Sequence, residues 1–246
     1  MSQIRIGTAG WNVPAPYAES FPAEGTHLER YAQRMNAAEI NSSFYKPHQS
    51  KTYARWAVSV PADFRFAVKA PKALTHEKRL KDGDELIAAF ADQIAGLGEK
   101  LGVILVQLPP SLAFERQAAA NAFAALADRI AAPIAVEPRH ASWFVPEVED
   151  WLAERRIARV AADPLPKNVP QSAAAPGGWD GLAYYRWHGS PRIYYSDYDA
   201  ATLADLAARL AADAASGRAP WCIFDNTAAF AALGNALALA ERLRSG

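Results

Sequence analysis

The sequence predicts an α/β fold, a (β/α)8 TIM-type barrel forming a single domain over residues 1–246, and three observations predict it. The chain has 246 residues, close to the roughly 250 that such a barrel needs. Eight short β-like runs alternate with helix-like runs, a pattern that favours a parallel sheet and, at eight units, closure. On one face of the strands, polar residues gather at the carboxyl ends, where barrels of this kind carry their ligands.

The strand candidates, in order, are Ile4–Thr8, Ala37–Asn41, Arg65–Lys69, Gly102–Leu108, Ile134–Glu137, Ala158–Asp163, Ala183–His188 and Trp221–Asp225. Between them lie helix signals. Thr26 and Glu29 have capping-box spacing ahead of Leu28–Met35. Ser50 is placed to cap Lys51–Val58, with Pro61 beyond its end. Asp84–Leu97, Phe114–Ile130, Pro146–Arg155, Ala200–Ala215 and Ala228–Leu243 complete the set. Pro164–Gly181 is rich in Pro, Ala and Gly, and predicts an irregular connection or lid between the sixth and seventh strands.

Strand side chains alternate between two faces. One phase, Ile40, Phe66, Val68, Ile104, Val106, Ile134, Val136, Val160, Tyr185, Trp187, Cys222 and Phe224, is apolar and suits a layer under the helices. The other carries Glu39, Asn41, Lys69, Gln107, Glu137, Arg139, Asp163, Arg186, His188 and Asp225. Charges facing the interior must pair or reach solvent or a ligand. Their convergence therefore predicts a binding site, with a self-satisfied ion-pair network as the alternative.

Composition removes other classes. Lys+Arg and Asp+Glu balance at 26 each, which disfavours nucleic acid or an anionic membrane as partner. One cysteine, Cys222, makes no intrachain disulfide or cysteine-rich zinc site. No G-x-G-x-x-G or G-x-x-x-x-G-K-[ST] loop occurs. The start lacks an apolar leader run and no stretch is long enough to span a bilayer, so a cytoplasmic location is expected.

Several segments resemble the YecE-like family of unassigned function. They are GTAGW at 7–11, EINSSFY at 39–45, FAVKAP at 66–71 with Thr75–His76, QLPP at 107–110, VEPRHASW at 136–143, YRWHG at 185–189 and FDNTAAFAALGNALAL at 224–239. The resemblance spans nearly the whole chain in order. It implies a (β/α)8 barrel and no particular reaction, substrate or cofactor. The family's last strand usually ends in paired asparagines, whereas the first of them here is Asp225.

The expected function is an enzyme acting on a small polar metabolite, sugar-like or phosphorylated, at the carboxyl-end face. A non-catalytic ligand-binding barrel is the main alternative, and a nucleic-acid-processing barrel is disfavoured. Candidate catalytic residues are Glu137, Lys69, Asp163 and His188. Glu137 and Asp163 could share acid–base work as paired carboxylates; Glu137 could equally form an orienting ion pair with Arg139. Lys69 is a Schiff-base or anion-binding lysine if its amine is dehydrated, and a partner of Glu39 otherwise. Candidate ligand-binding residues are Glu39, Asn41, His76, Gln107, Arg139, Arg186, Asp225 and Asn226. Loops after the last two strands favour anions, with Asn226 or Thr227 as an alternative cap for the last helix. Trp11, Phe44, Tyr45, Trp143, Trp187, Tyr194 and Tyr198 are rim candidates for stacking. Ligand spacing supports no metal site, and no cofactor is named by any motif.

Overall fold

A computed structural model describes residues 3–245; Met1, Ser2 and Gly246, the ends of the expected domain, lie outside the described residues. The strands are β1 (Arg5–Thr8), β2 (Ala37–Ile40), β3 (Arg65–Lys69), β4 (Leu101–Gln107), β5 (Ile134–Glu137), β6 (Ile157–Arg159), β7 (Ala161–Asp163), β8 (Gly177–Gly178), β9 (Leu182–Trp187) and β10 (Ala219–Phe224). The longer helices are α1 (His27–Tyr31), α2 (Ser50–Val58), α3 (Asp84–Ile94), α4 (Arg116–Arg129), α5 (Pro146–Glu154), α6 (Ala200–Ala215) and α7 (Ala231–Ser245). The capping box at Thr26 and Glu29 is formed. Ser50 does not cap α2: it is the first helical residue, and Gln49 precedes it without a side-chain cap.

Apart from β8, all strands pair in parallel, in two hydrogen-bonded sheets ordered β1-β10-β9-β7 and β2-β3-β4-β5-β6-β8. The sheets meet at two seams, so strands follow one another in chain order around a ring. At the first seam, β1 meets β2 through side chains. Asn36 accepts from Ile6 N and donates to Ile4 O, both at 2.8 Å. The Tyr31 hydroxyl accepts from Thr8 N at 2.9 Å and donates to Ala37 O at 3.0 Å. Burial pushes that phenol's pKa up. A Cβ on Gly7 would lie 2.1 Å from Ala37 O, so only glycine lets the strands approach this closely. Beyond it, Gly10 N donates to Glu39 O at 2.8 Å.

At the second seam the sixth strand changes partner. Its first half, β6, pairs with β5, and its second half, β7, pairs with β9. The free edge of β6 takes β8 in antiparallel pairing. Pro164–Gly181 is thus an irregular connection, but it is a strap rather than a lid. Glu149 of α5 accepts from Gly178 N at 2.7 Å, and Arg159, ion-paired to Glu149, donates to Ala173 O and Ala175 O at 3.3 Å each.

Two apolar clusters follow from the alternation. The larger lies between strands and helices and holds Ile40, Phe66, Val68, Ile104, Val106, Ile134, Val136, Tyr185, Trp187, Cys222 and Phe224. The smaller fills the ring with Ala37, Ala67, Val103, Leu105, Ala135, Ala158, Val160, Leu182, Tyr184, Trp221 and Ile223. Val160 therefore faces inward, opposite to expectation. In Ala158–Asp163 both faces carry small apolar residues, so the segment has no contrast by which to fix its phase.

Candidate functional site

The interior cluster is a floor. Tyr184 and Trp221 stack with ring centroids 6.1 Å apart, while alanines from β2, β3, β5 and β6 leave room above them. On this floor, one residue further along each inward-facing phase, sit Glu39, Lys69, Gln107, Glu137, Arg186 and Asp225, joined by His188 just beyond β9.

Arg186 is the hub. It is fully buried, and its guanidinium grips Glu39 with two bonds, Nε to Oε2 at 2.9 Å and Nη2 to Oε1 at 2.7 Å. Nη1 reaches Glu137 Oε2 at 3.2 Å and Nη2 lies 3.0 Å from Asp225 Oδ2. Burial by itself would lower its pKa, but Asp225, Glu39 and Glu137 hold it well above the ordinary value. Tyr184 donates its hydroxyl to Glu39 Oε2 at 3.3 Å from below.

Glu137 is equally enclosed. Its Oε1 meets Arg139 Nη2, His188 Nε2 at 3.0 Å and Gln107 Nε2 at 3.2 Å. Burial would raise its carboxyl; Arg139, His188 and Arg186 instead hold it well below the usual carboxylate range. Asp225, for which burial also opposes the charged form, is held low by Arg186 and His188. His188 bridges the two, with Nδ1 3.0 Å from Asp225 Oδ2. Its Nε2 lies between an acceptor, Glu137 Oε1, and a donor, Arg139 Nη2 at 2.7 Å. Nε2 can accept from the arginine when bare or donate to the carboxylate when protonated.

Lys69 differs from all of these. It is only 5% exposed, yet among the described residues its amine forms no ion pair or hydrogen bond. Its one close polar contact is with the face of Phe44, 4.1 Å from the ring centroid. Glu39, its expected partner, is held by Arg186. Burial, reinforced by the Arg186 charge and opposed by Glu39, Glu137 and Asp225, brings its pKa down to about 8. Ser43 fixes this corner by donating to both Ile40 O and Lys69 O. His76 meets the edge of the same Phe44 ring, centroids 5.0 Å apart. Burial and the nearby Lys69 lower its pKa.

Further polar atoms are left open. Asn41 Oδ1 and Arg139 Nε are buried without a partner. Asn41 and Glu39 line a cleft of about 360 Å³ with Gly10, Trp11 and Asn12. Over His188 lies Tyr194, 46% exposed and held at φ +70°, a left-handed backbone that is strained for a bulky residue.

The expected residues Glu39, Lys69, Gln107, Glu137, Arg139, Arg186, His188 and Asp225 thus converge, with Asn41 and His76 at the flanks. Asp163 does not join them. It pairs in register with Trp187 on the helix-facing side and accepts from the Tyr198 hydroxyl at 2.6 Å, so it is no partner carboxylate for Glu137. Asn226 uses its amide nitrogen elsewhere, donating to Ser196 O and Asn235 Oδ1 at 2.8 Å each and so clamping the β9–α6 loop to α7, while its Oδ1 is buried without a partner. Of the rim aromatics, Trp143, Trp187 and Tyr198 are buried packing residues, whereas Tyr45 and Tyr194 are exposed. Tyr184 adds to this set: its place two residues before Arg186 puts it in the same inward phase. Among the described residues, no group of three or more His, Cys, Asp or Glu side chains could hold a metal ion.

Comparison with known proteins agrees with the fold. A DUF72 family protein from Enterococcus faecalis V583 superposes with a TM-score of 0.81 at 22% identity, covering 98% of this chain and 96% of the other. One from Thermotoga maritima MSB8 gives 0.78 at 24% identity, covering 98% and 99%. Among curated sequences, the UPF0759 protein YecE of Escherichia coli K12 is 30% identical over 106 residues, 43% of this chain and 38% of YecE. The UPF0759 protein YunF of Bacillus subtilis 168 is 26% identical over 149 residues, 58% and 53% of the two chains. The matched stretches thus span only about two fifths to one half of these relatives. The profile described as "Protein of unknown function DUF72" matches residues 5–246. The chain belongs to the DUF72 family.

Proposed function

We propose that this protein is an enzyme acting on a small polar, anionic metabolite at the carboxyl-end face of its single barrel domain. Lys69 and His188 touch the substrate, and Glu137, Asp225 and Arg186 position them. The observation that carries the reading is the unpaired Lys69, buried beside a network in which the other charges are matched. A buried charge without a partner is costly, and an anionic ligand would relieve it. His188, whose Nε2 faces both the Glu137 carboxylate and the Arg139 guanidinium, is the imidazole placed for acid–base chemistry.

The full mutual pairing of Arg186 with Glu39, Glu137 and Asp225 favours a second reading, a ligand-binding barrel without turnover. The balanced charge speaks against nucleic acid, no helix among the described residues is long and apolar enough to cross a membrane, and the lone buried Cys222 suits the cytoplasm. A thermal-shift screen of sugar phosphates and oxoacids tests the proposal, since a ligand of the folded state raises its melting temperature. Hits should vanish in Lys69→Met, and NMR of the hit should show its conversion by the wild type. Binding unaffected by Lys69→Met would refute the assignment of the site; binding without conversion would select the second reading.

A further inference from the structure

We infer that Lys69 is a carbonyl-capturing amine, forming an imine with a small aldehyde or ketone that carries an anionic group. The inference rests on the site proposed above and names its substrate class. An amine that captures carbonyls must be deprotonated, reachable from the ligand side and free of a carboxylate that would keep it an ammonium. Lys69 stands at the carboxyl end of β3 with its amine on the Phe44 face and no ion pair. Arg186 takes both oxygens of Glu39, the acid nearest in register on β2. The titratable and charged groups that act on Lys69 are Arg186, Glu39, Glu137 and Asp225, with His76 coupled to it. Burial leads these effects and leaves the amine titrating near pH 8.

The step balances. The neutral Nζ lone pair attacks the carbonyl carbon, the C=O pair moves to oxygen, and one amine proton follows it to give a carbinolamine. One further proton, taken from solvent, lets that oxygen leave as water while the nitrogen pair closes the C=N bond. The product iminium carries the same charge as an ammonium, so Glu39, Glu137 and Asp225 stabilise it as they would the protonated lysine.

The test uses the intact protein with glyoxylate and sodium cyanoborohydride, which reduces an imine to a stable secondary amine, read by peptide mass mapping. Carboxymethylation is expected at Lys69 roughly tenfold or more faster at pH 7 than at the exposed Lys46 and Lys78, because far more of its amine is neutral. Its rate should climb to about pH 8 and level off there, and the modification should be absent from Lys69→Arg while Lys46 and Lys78 react as before. A parallel thermal-shift series with glyoxylate and inorganic phosphate, without reductant, separates the two levels. A shift with Lys69 unmodified, or modified no faster than the exposed lysines, overturns the imine and leaves the anion site standing. No shift from either anion and no adduct overturns both.

Discussion

Arg186 and Lys69 are two basic side chains on the same inner face, both almost wholly buried, and they have opposite surroundings. Arg186 meets three carboxylates and a tyrosine-braced floor. Lys69 meets an aromatic ring and the repulsion of Arg186 itself. The first arrangement spends its charge on holding strands β2, β5, β9 and β10 together. The second leaves its charge unspent. Burial by itself does not tell scaffold from chemistry; the identity of the partner does.

The largest expected effect falls on the satisfied side. Arg186→Met strands Glu39, Glu137 and Asp225 in the interior, and removing one member of a buried ion network costs about 3–5 kcal/mol. Urea denaturation should show that loss or no folded state at all. A variant as stable as wild type would dissolve the distinction between the two residues.

Glu137→Gln should come next, at about 2–3 kcal/mol, because Arg139 and Arg186 lose a shared acceptor charge while hydrogen bonds to the amide remain. Its pH dependence sharpens the point. The folded-state pKa of Glu137 is depressed, so its contribution is present above the usual carboxylate range and is lost as pH falls through the folded value. The stability gap between wild type and variant should therefore close on acidification.

Lys69→Met should do the reverse and stabilise the protein at pH 7, by about 1–3 kcal/mol. The folded-state pKa of Lys69, about 8, lies below the ordinary 10.5. Between these values the unfolded chain binds more protons than the folded one, so wild-type stability rises with pH there and the advantage of the variant shrinks. Paired melts at pH 7 and pH 10.5 measure it; a variant less stable than wild type at pH 7 would mean the lysine is paired after all.

The sequence made the strand order, the outer apolar layer and most of the converging polar set readable, because in β2, β3, β4, β5, β9 and β10 an inward-phase polar residue falls at or just beyond the end of a mostly apolar run. It failed where that contrast is missing. Ala158–Asp163 offers small residues on both faces, and its two charged side chains both point outward, Arg159 to Glu149 and Asp163 to Tyr198. Nor could alternation distinguish Lys69 from Arg186, since both occupy the inward phase. Which base would capture Glu39 depends on reach across the ring, a distance that no one-dimensional pattern encodes. Asn226 shows a related limit: a polar residue beside a site can also serve the loop above it.

The first seam has a consequence for how water enters. Between β1 and β2 the ladder is built from a phenol, a side-chain amide and a single backbone contact near Glu39. Parting these few bonds would open a gap beside Glu39 with the other strand pairs intact. Such breathing would give solvent protons a side door to the buried charges. The network could then re-equilibrate with bulk pH even while a ligand occupies the mouth.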